Sequence, residues 1–335
     1  MTAPVLLLAY RRPDTTRQVL AAIRQAAPQQ LFVACDGPNP DREGEAARVQ
    51  AVRDLIDCSI DWPCEVHRRY SREHQGCRRG VSGAISWFFE HVEQGIVLED
   101  DCVPDPSFFP FCEALLDRYA HDLRVWCITG GNYQDGQVRG DASYYFSRYP
   151  HCWGWASWRS RWQAYDDELS LLEPFVKGGF ADDLFTDPLE AAYWHRVWSR
   201  QVPRHGGGLD SWAYQWAFAC MASRGLTAIP NQNLVMNVGD GVEATHTTTS
   251  QSMRQVCNPV PFPLRHPRLI LRDETADQYT FINHMPGRYL NYMRSLKGRF
   301  ADPLGSRLAL AIRNPLHYPV KLLTAISLFF RHPSM

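Results

Sequence analysis

Gly95-Ile96-Val97-Leu98-Glu99-Asp100-Asp101 is a continuous apolar run that ends in three carboxylates. A short run of this kind reads as a strand buried on both faces. The pattern recurs upstream. Val5-Leu6-Leu7-Leu8-Ala9 is a first such strand, Leu31-Phe32-Val33-Ala34 a second, and Cys64-Glu65-Val66-His67 a weaker third. Helical spacing fills the intervals. Val19, Leu20, Ile23 and Ala27 share a face behind a cap at Asp14 or Thr15, and Val49, Val52, Leu55 and Ile56 form the next face. Val81, Ile85, Phe88, Phe89 and Val92 follow. Beyond the triplet, Phe108 to Tyr119 reads as a helix and Val125 to Thr129 as a strand. Strands alternating with helices predict an α/β fold with a doubly wound, mostly parallel sheet. Such sheets bind ligands beyond the C-terminal strand ends. Arg11 and Arg12, Asp36, and Glu99-Asp100-Asp101 are therefore expected around one crevice.

The chain has 335 residues, enough for a large core, and 35 basic residues balance 36 acidic ones. That balance argues against a nucleic-acid partner, which would need a basic surface. Ten cysteines are present, none in Cys-x2-Cys spacing, and several sit in apolar runs. With no signal-peptide pattern at the start, a reducing, cytoplasmic protein is expected. No apolar stretch reaches the roughly 18 residues of a spanning helix.

The pattern changes after about residue 140. Eight of the 11 tryptophans lie between Trp153 and Trp216. Strand signal returns near Thr227 to Val238, and residues 250–305 read as loop-rich. No internal repeat is visible.

Three adjacent carboxylates at a strand end repel one another, and a hard divalent cation relieves that repulsion. Neither glycine-rich phosphate motif occurs, so a carboxylate-held metal would have to neutralise any diphosphate. Arg78 and Arg79 open a helix at its positive end, where structure alone does not call for cations but a bound diphosphate would.

The ordered set Val5 to Pro13, Cys35-Asp36-Gly37, Ile96 to Asp101 and Pro106-Ser107-Phe108-Phe109 resembles the GT-A nucleotide-sugar glycosyltransferases. The likeness is to N-acetylglucosaminyltransferase I and its bacterial relatives, and it covers roughly residues 4–250. Cys152-Trp153-Gly154-Trp155-Ala156 is similar to the aromatic, glycine-containing segment of that family. The resemblance implies a GT-A fold and an inverting transfer with Mn2+ or Mg2+. By family habit the donor would be a nucleotide sugar, a UDP-sugar first among them, and the acceptor a glycan or lipid-linked hydroxyl. It implies Asp101 as metal ligand, Asp100 on the ribose or a metal-bound water, and Glu99 on the donor sugar. Arg11 would contact the nucleotide, and Asp36 would accept from the uracil imide. His246 would be a late ligand to metal or diphosphate. Asp210, in Leu209-Asp210-Ser211-Trp212, would be the catalytic base, although the family carries a second acid where Ser211 stands. Asp210 also suits a cap for a helix from Ser211 to Met221. Asp166, Asp167, Asp182 and Asp183 are the alternatives for the base.

Trp155, Trp158 and Trp162 lie at helical spacing; Trp158 and Trp162 are expected in the core, and Trp153 or Trp155 near the donor sugar. Arg148 is a weaker candidate for phosphate or acceptor. The expected organisation is a nucleotide-sugar-binding half over 1–135, an acceptor half over 136–255, and an extension over 256–335. Within that extension, Pro319 to Phe330 either covers the catalytic domain or makes a peripheral membrane contact. Two rival functions remain open. One is a sugar-nucleotide pyrophosphorylase, against which Leu8 to Pro13 lacks a glycine; the other is a non-catalytic carbohydrate-binding protein.

Overall fold

Five-residue apolar runs with β-branched and leucine side chains pair readily when both faces can be covered, and the first strands of the chain do so. The structure is a computed structural model, and it describes residues 3–202, 210–239 and 256–285. Its elements in chain order are β1 (Val5–Ala9), α1 (Pro13–Ala26), β2 (Gln30–Cys35), α2 (Glu45–Ser59), β3 (Glu65–Tyr70), α3 (Gly76–His91) and β4 (Gln94–Glu99). Then come β5 (Cys102–Pro104), α4 (Phe108–Tyr119), β6 (Val125–Thr129), β7 (Tyr144–Ser147), β8 (Trp155–Trp158), α5 (Arg159–Trp162), α6 (Leu172–Lys177) and α7 (Phe180–Leu184). The remainder are α8 (Pro188–Gln201), α9 (Ala213–Ala222), β9 (Leu226–Pro230), β10 (Val235–Asn237) and α10 (Glu274–His284).

Eight strands form one sheet in the order β3-β2-β1-β4-β8-β6-β9-β7. β3, β2, β1 and β4 pair in parallel, as do β6 and β9, while β8 and β7 run antiparallel to their neighbours. The fold is thus α/β with a large, mostly parallel sheet. Strand order proceeds outward from β1 to β3 on one side and restarts at β4 on the other, so the β1/β4 boundary is the switch point of the sheet. Leu8 stands opposite Glu99 in that register. The chain leaving β1 therefore meets the acidic triplet.

The period of two sorts the strand residues between two cores. Leu7, Val33, Ile96 and Leu98 join one cluster with Val19 and Ile23 of α1, Ile56 of α2 and Leu115 of α4. Leu6, Phe32 and Val97 join the other with Ile85 and Phe88 of α3 and Trp216 of α9. Each fully buried side chain of this size contributes roughly 1.5–3 kcal/mol. Both faces are thus held by packing, which leaves the strand ends free to carry polar groups.

Three local expectations are revised. α1 starts at Pro13, with Arg12 at the cap position and no side-chain cap. Proline in the first turn lacks only an N–H that would be unpaired there anyway. Trp155, Trp158 and Trp162 do not share one helix face. Trp155 and Trp158 lie on opposite faces of β8, and Trp162 belongs to α5. Residues 265–273 run beside β7: Ser143 N–H donates to the Arg265 carbonyl, Arg265 N–H donates to Ser143 Oγ, and Asp273 N–H donates to the Phe146 carbonyl. This strap covers the sheet edge at β7, a usual way of protecting an edge strand.

The chain divides into two compact units. One is drawn from Met1–Asp167 and Asp210–Asp277, the other from Glu168–Leu209 and Gln278–Met335. In the second unit Trp194 and Trp198 lie 5.3 Å apart, ring centre to ring centre, with Phe185 against Trp198. Among the described residues no helix is long and apolar enough to cross a membrane. Pro319 to Phe330 lies outside them.

Candidate active site

The C-terminal ends of β1, β2 and β4, with the loop entering α3, surround a cleft of about 190 Å3 in the first unit. Tyr10, Arg11, Arg12, Asp36, His74, Glu99, Asp100 and Asp210 all reach it. The expected convergence of the three strand-end clusters is what the structure has.

The acidic triplet is tied to β1 and α1. Arg12 Nη2 stands 2.5 Å from Asp100 Oδ1 and 2.9 Å from Asp101 Oδ2. Asp100 Oδ2 accepts the Tyr10 N–H at 3.1 Å. Asp100 is 3% exposed and Asp101 9%, so Arg12 is set between two nearly buried carboxylates. Burial, with Asp101 and Asp100 adding to it, pushes the Glu99 carboxyl up to about 8. Burial pushes Asp100 up to about 6, against the pull of Arg12. Burial also disfavours the Arg12 charge, but the two aspartates outweigh it and hold the guanidinium above its usual range. Among the described residues, three acids against one contacting cation leave this end of the cleft short of positive charge.

The opposite end is aromatic and basic. Tyr10 stacks on His74 with ring centres 5.2 Å apart. Its hydroxyl donates to Glu45, which is 1% exposed and also holds Arg11 at 3.2 Å and Arg42 at 3.6 Å. Burial opposes ionisation of Glu45, but the bonds from Tyr10 and Asn39 and the two arginines hold its carboxyl below the usual range.

The start of α3 forms the floor. Asp36 Oδ1 accepts from Gln75 N–H at 2.9 Å and Oδ2 from Gly76 N–H at 3.1 Å, with His74 Nδ1 2.9 Å from Oδ2. Asp210 accepts from Cys77 N–H and Arg78 N–H, each at 2.8 Å. Four successive amides at the head of one helix are thus satisfied by two aspartates from distant positions. Free amides at a helix start require such partners. Asp210 therefore caps α3 and not the helix that follows it, where Trp212 holds the cap position without a side-chain bond. Asp210→Ala is expected to cost about 1–2 kcal/mol of unfolding free energy, the range for lost caps. Urea denaturation checks this; an unchanged midpoint would remove the capping role.

Other expected site residues fall elsewhere. Arg78 turns from the cleft to Asp167, 2.7 Å away. Arg79 is exposed, and neither arginine lines the cleft. Asp167 is taken by Arg78, and the side chain of Asp182 is outside the described set. Arg11 reaches the cleft but spends its charge on Glu45. Trp155 is a correction: it is fully buried, stacked on Trp212 at 5.7 Å, and no sugar can reach it. Trp153 keeps partial exposure, 6.0 Å from Tyr133. Arg148 is also corrected. It is 2% exposed and lies 3.4 Å from Asp277, whose carboxyl burial pushes up to about 7. His246 lies outside the described residues.

Arg12, His74 and Glu45 are the site residues that sequence reasoning missed or left without a role. Arg12 was visible at the strand exit, and only register separates it from Arg11. His74 and Glu45 carry no local signal, since a loop and a helix start bring them in.

No known protein family matches the chain, and no curated protein does. Several solved structures are similar to it at low identity. Mouse xyloside xylosyltransferase 1 in its apo form is 9% identical, over 66% of this chain and 82% of that one, with a TM-score of 0.34. Apo UDP-glucose pyrophosphorylase is 9% identical, over 68% and 90%, with a TM-score of 0.32. HddC from Yersinia pseudotuberculosis is 13% identical, over 49% and 80%, with a TM-score of 0.30. Likenesses at this level identify no family.

Proposed function

We propose that the chain is a metal-dependent glycosyltransferase of GT-A type that moves a sugar from a nucleotide-sugar donor, a UDP-sugar first among them, to a glycan or lipid-linked hydroxyl with inversion. The observation that carries this reading is the acidic triplet at the β1/β4 switch point, with three carboxylates against one contacting arginine. A nucleoside diphosphate with a divalent cation meets both ends of the cleft. The cation answers the excess of acid, and the Tyr10–His74 stack offers a ring surface to a base.

Among the described residues no group of three or more His, Cys, Asp or Glu side chains is placed to hold a metal. Mg2+-like cations in phosphate sites take only one or two carboxylates and complete their shell with phosphate and water. Asp100 and Asp101 fit that mode, and they are the residues that would hold the ion. When bound, it would stabilise the charge that develops on the departing diphosphate. Arg12 would pair with phosphate oxygen, as guanidinium groups do. A carboxylate oxygen can accept more than one hydrogen bond, so the capping role does not by itself exclude a base role for Asp210. Glu99 would face the donor sugar.

The test is calorimetric titration with UDP, with Mn2+ present and then with chelator. Binding is expected only with metal, and Asp101→Ala is expected to weaken it at least about a hundredfold, within the range for loss of a buried charge partner. Metal-independent UDP binding, or none, would remove the reading. Release of pyrophosphate from UTP and a sugar phosphate would favour a pyrophosphorylase instead. Binding of free glycans that ignores metal and nucleotide would favour a carbohydrate-binding protein.

A further inference from the structure

Each oxygen of the aspartate pair has an assigned neighbour. Asp100 Oδ2 takes the Tyr10 amide, and Asp101 Oδ1 lies 3.4 Å from Cys102 Sγ. The two remaining oxygens, Asp100 Oδ1 and Asp101 Oδ2, both face Arg12 Nη2. A divalent cation held about 2.1–2.5 Å from carboxylate oxygen would occupy the same ground. The guanidinium cannot make room on the side of Gly239. A Cβ added there would stand 2.1 Å from Asp101 Oδ2 and 2.8 Å from Arg12 Nη1. The open direction for Arg12 is the cleft that it lines.

We infer that Arg12 is the internal counter-ion of the Asp100–Asp101 pair, and that a divalent cation takes the pair only as a diphosphate takes Arg12. The second half rests on the nucleotide-sugar reading; the first does not. The exchange is electrostatically coherent. Two positive groups cannot share one buried pair of oxygens without strong repulsion. A diphosphate offers Arg12 equivalent charge-assisted bonds a short way into the cleft. Cation and nucleotide would therefore bind with positive coupling, and the site would resist metal alone.

The experiment measures Mn2+ binding without nucleotide, by the loss of the free-ion electron paramagnetic resonance signal, in wild type, Arg12→Gln and Arg12→Lys. Circular dichroism reports folding. Arg12→Gln is expected to bind Mn2+ about tenfold more tightly than wild type, because a like charge has left the site. Arg12→Lys keeps a positive charge but offers a shorter reach than the guanidinium whose Nη2 meets both oxygens, so it is expected to gain less than Arg12→Gln. If Arg12→Gln does not fold, Arg12→Lys decides. Unchanged or weaker Mn2+ binding in the folded variant overturns the counter-ion role.

In a second arm UDP is added, with uridine as the control that lacks phosphate. UDP is expected to tighten Mn2+ binding in wild type more than in Arg12→Gln, and uridine in neither. Equal tightening by UDP in both overturns the exchange. A failure of UDP to bind at all would sink the nucleotide reading and the exchange together, and leave the metal-only result to judge the counter-ion role.

Discussion

Arg12→Met is expected to lower stability by about 3–5 kcal/mol at pH 8, the range for breaking a buried ion pair by removing one partner, and by much less at pH 5. Arg12 is the cation that touches Asp100 and Asp101, and Glu99 lies beside them. The pH dependence follows from proton counting. An acid whose carboxyl titrates higher in the folded state binds more protons folded than unfolded between the two values. Stability then falls as pH rises through that interval. For Glu99 the interval runs from 4.5 to about 8, and for Asp100 from 3.8 to about 6. At pH 5 protons already neutralise much of the cluster, so the loss of Arg12 exposes little uncompensated charge. At pH 8 the same loss leaves adjacent carboxylates with no counter-ion. Urea denaturation at pH 5, 6.5 and 8 measures this, with Arg12→Lys as a charge-retaining control. Equal destabilisation at pH 5 and 8 would show that Arg12 acts by packing alone.

The first hundred residues were legible because their periodicity is physical. Val5 to Ala9, Leu31 to Ala34 and Ile96 to Leu98 are covered on both faces, and a strand covered that way has to be continuously apolar. Strand-end chemistry followed from the same argument, which is why Asp36, Glu99 and Asp100 line the cleft where they were expected. Register was not legible. Arg11 and Arg12 are equivalent as letters, and only the turn into α1, begun by Pro13, sends one to Glu45 and the other to the aspartates. The tryptophans failed for a related reason. A period near three or four suits a helix, but a strand that runs into a helix at Arg159 gives the same spacing. That put Trp155 in the core, where its size is best used. Asp210 was recognised as a chemically placed acid, but its partners lie more than 130 residues away at the head of α3. No local pattern carries that pairing.

Gly37→Ala is expected to be the most disruptive single methyl group that can be added at the cleft. A Cβ there would stand 2.3 Å from the Glu73 carbonyl carbon, 2.4 Å from its oxygen and 2.7 Å from its nitrogen. These are backbone atoms, so no rotamer change relieves the contact, and the segment from Ser71 to Gly76 has to move. That segment carries His74, which stacks on Tyr10, and the Gln75 and Gly76 amides that Asp36 accepts. The displacement thus reaches the floor and the aromatic end of the cleft together. Overpacking costs about 1–3 kcal/mol where side chains can yield, and contact with backbone belongs at the top of that range. Gly44→Ala is the matched control. It has nothing within 4 Å of its added Cβ but a φ of +71°, so its cost is backbone strain alone, about 1–2 kcal/mol. Scanning calorimetry is expected to rank Gly37→Ala below Gly44→Ala in Tm, and UDP titration is expected to show weakened binding in the first and near-normal binding in the second. If Gly37→Ala melts no lower than Gly44→Ala, the 71–76 segment yields more easily than its contacts imply, and its amides do not fix Asp36.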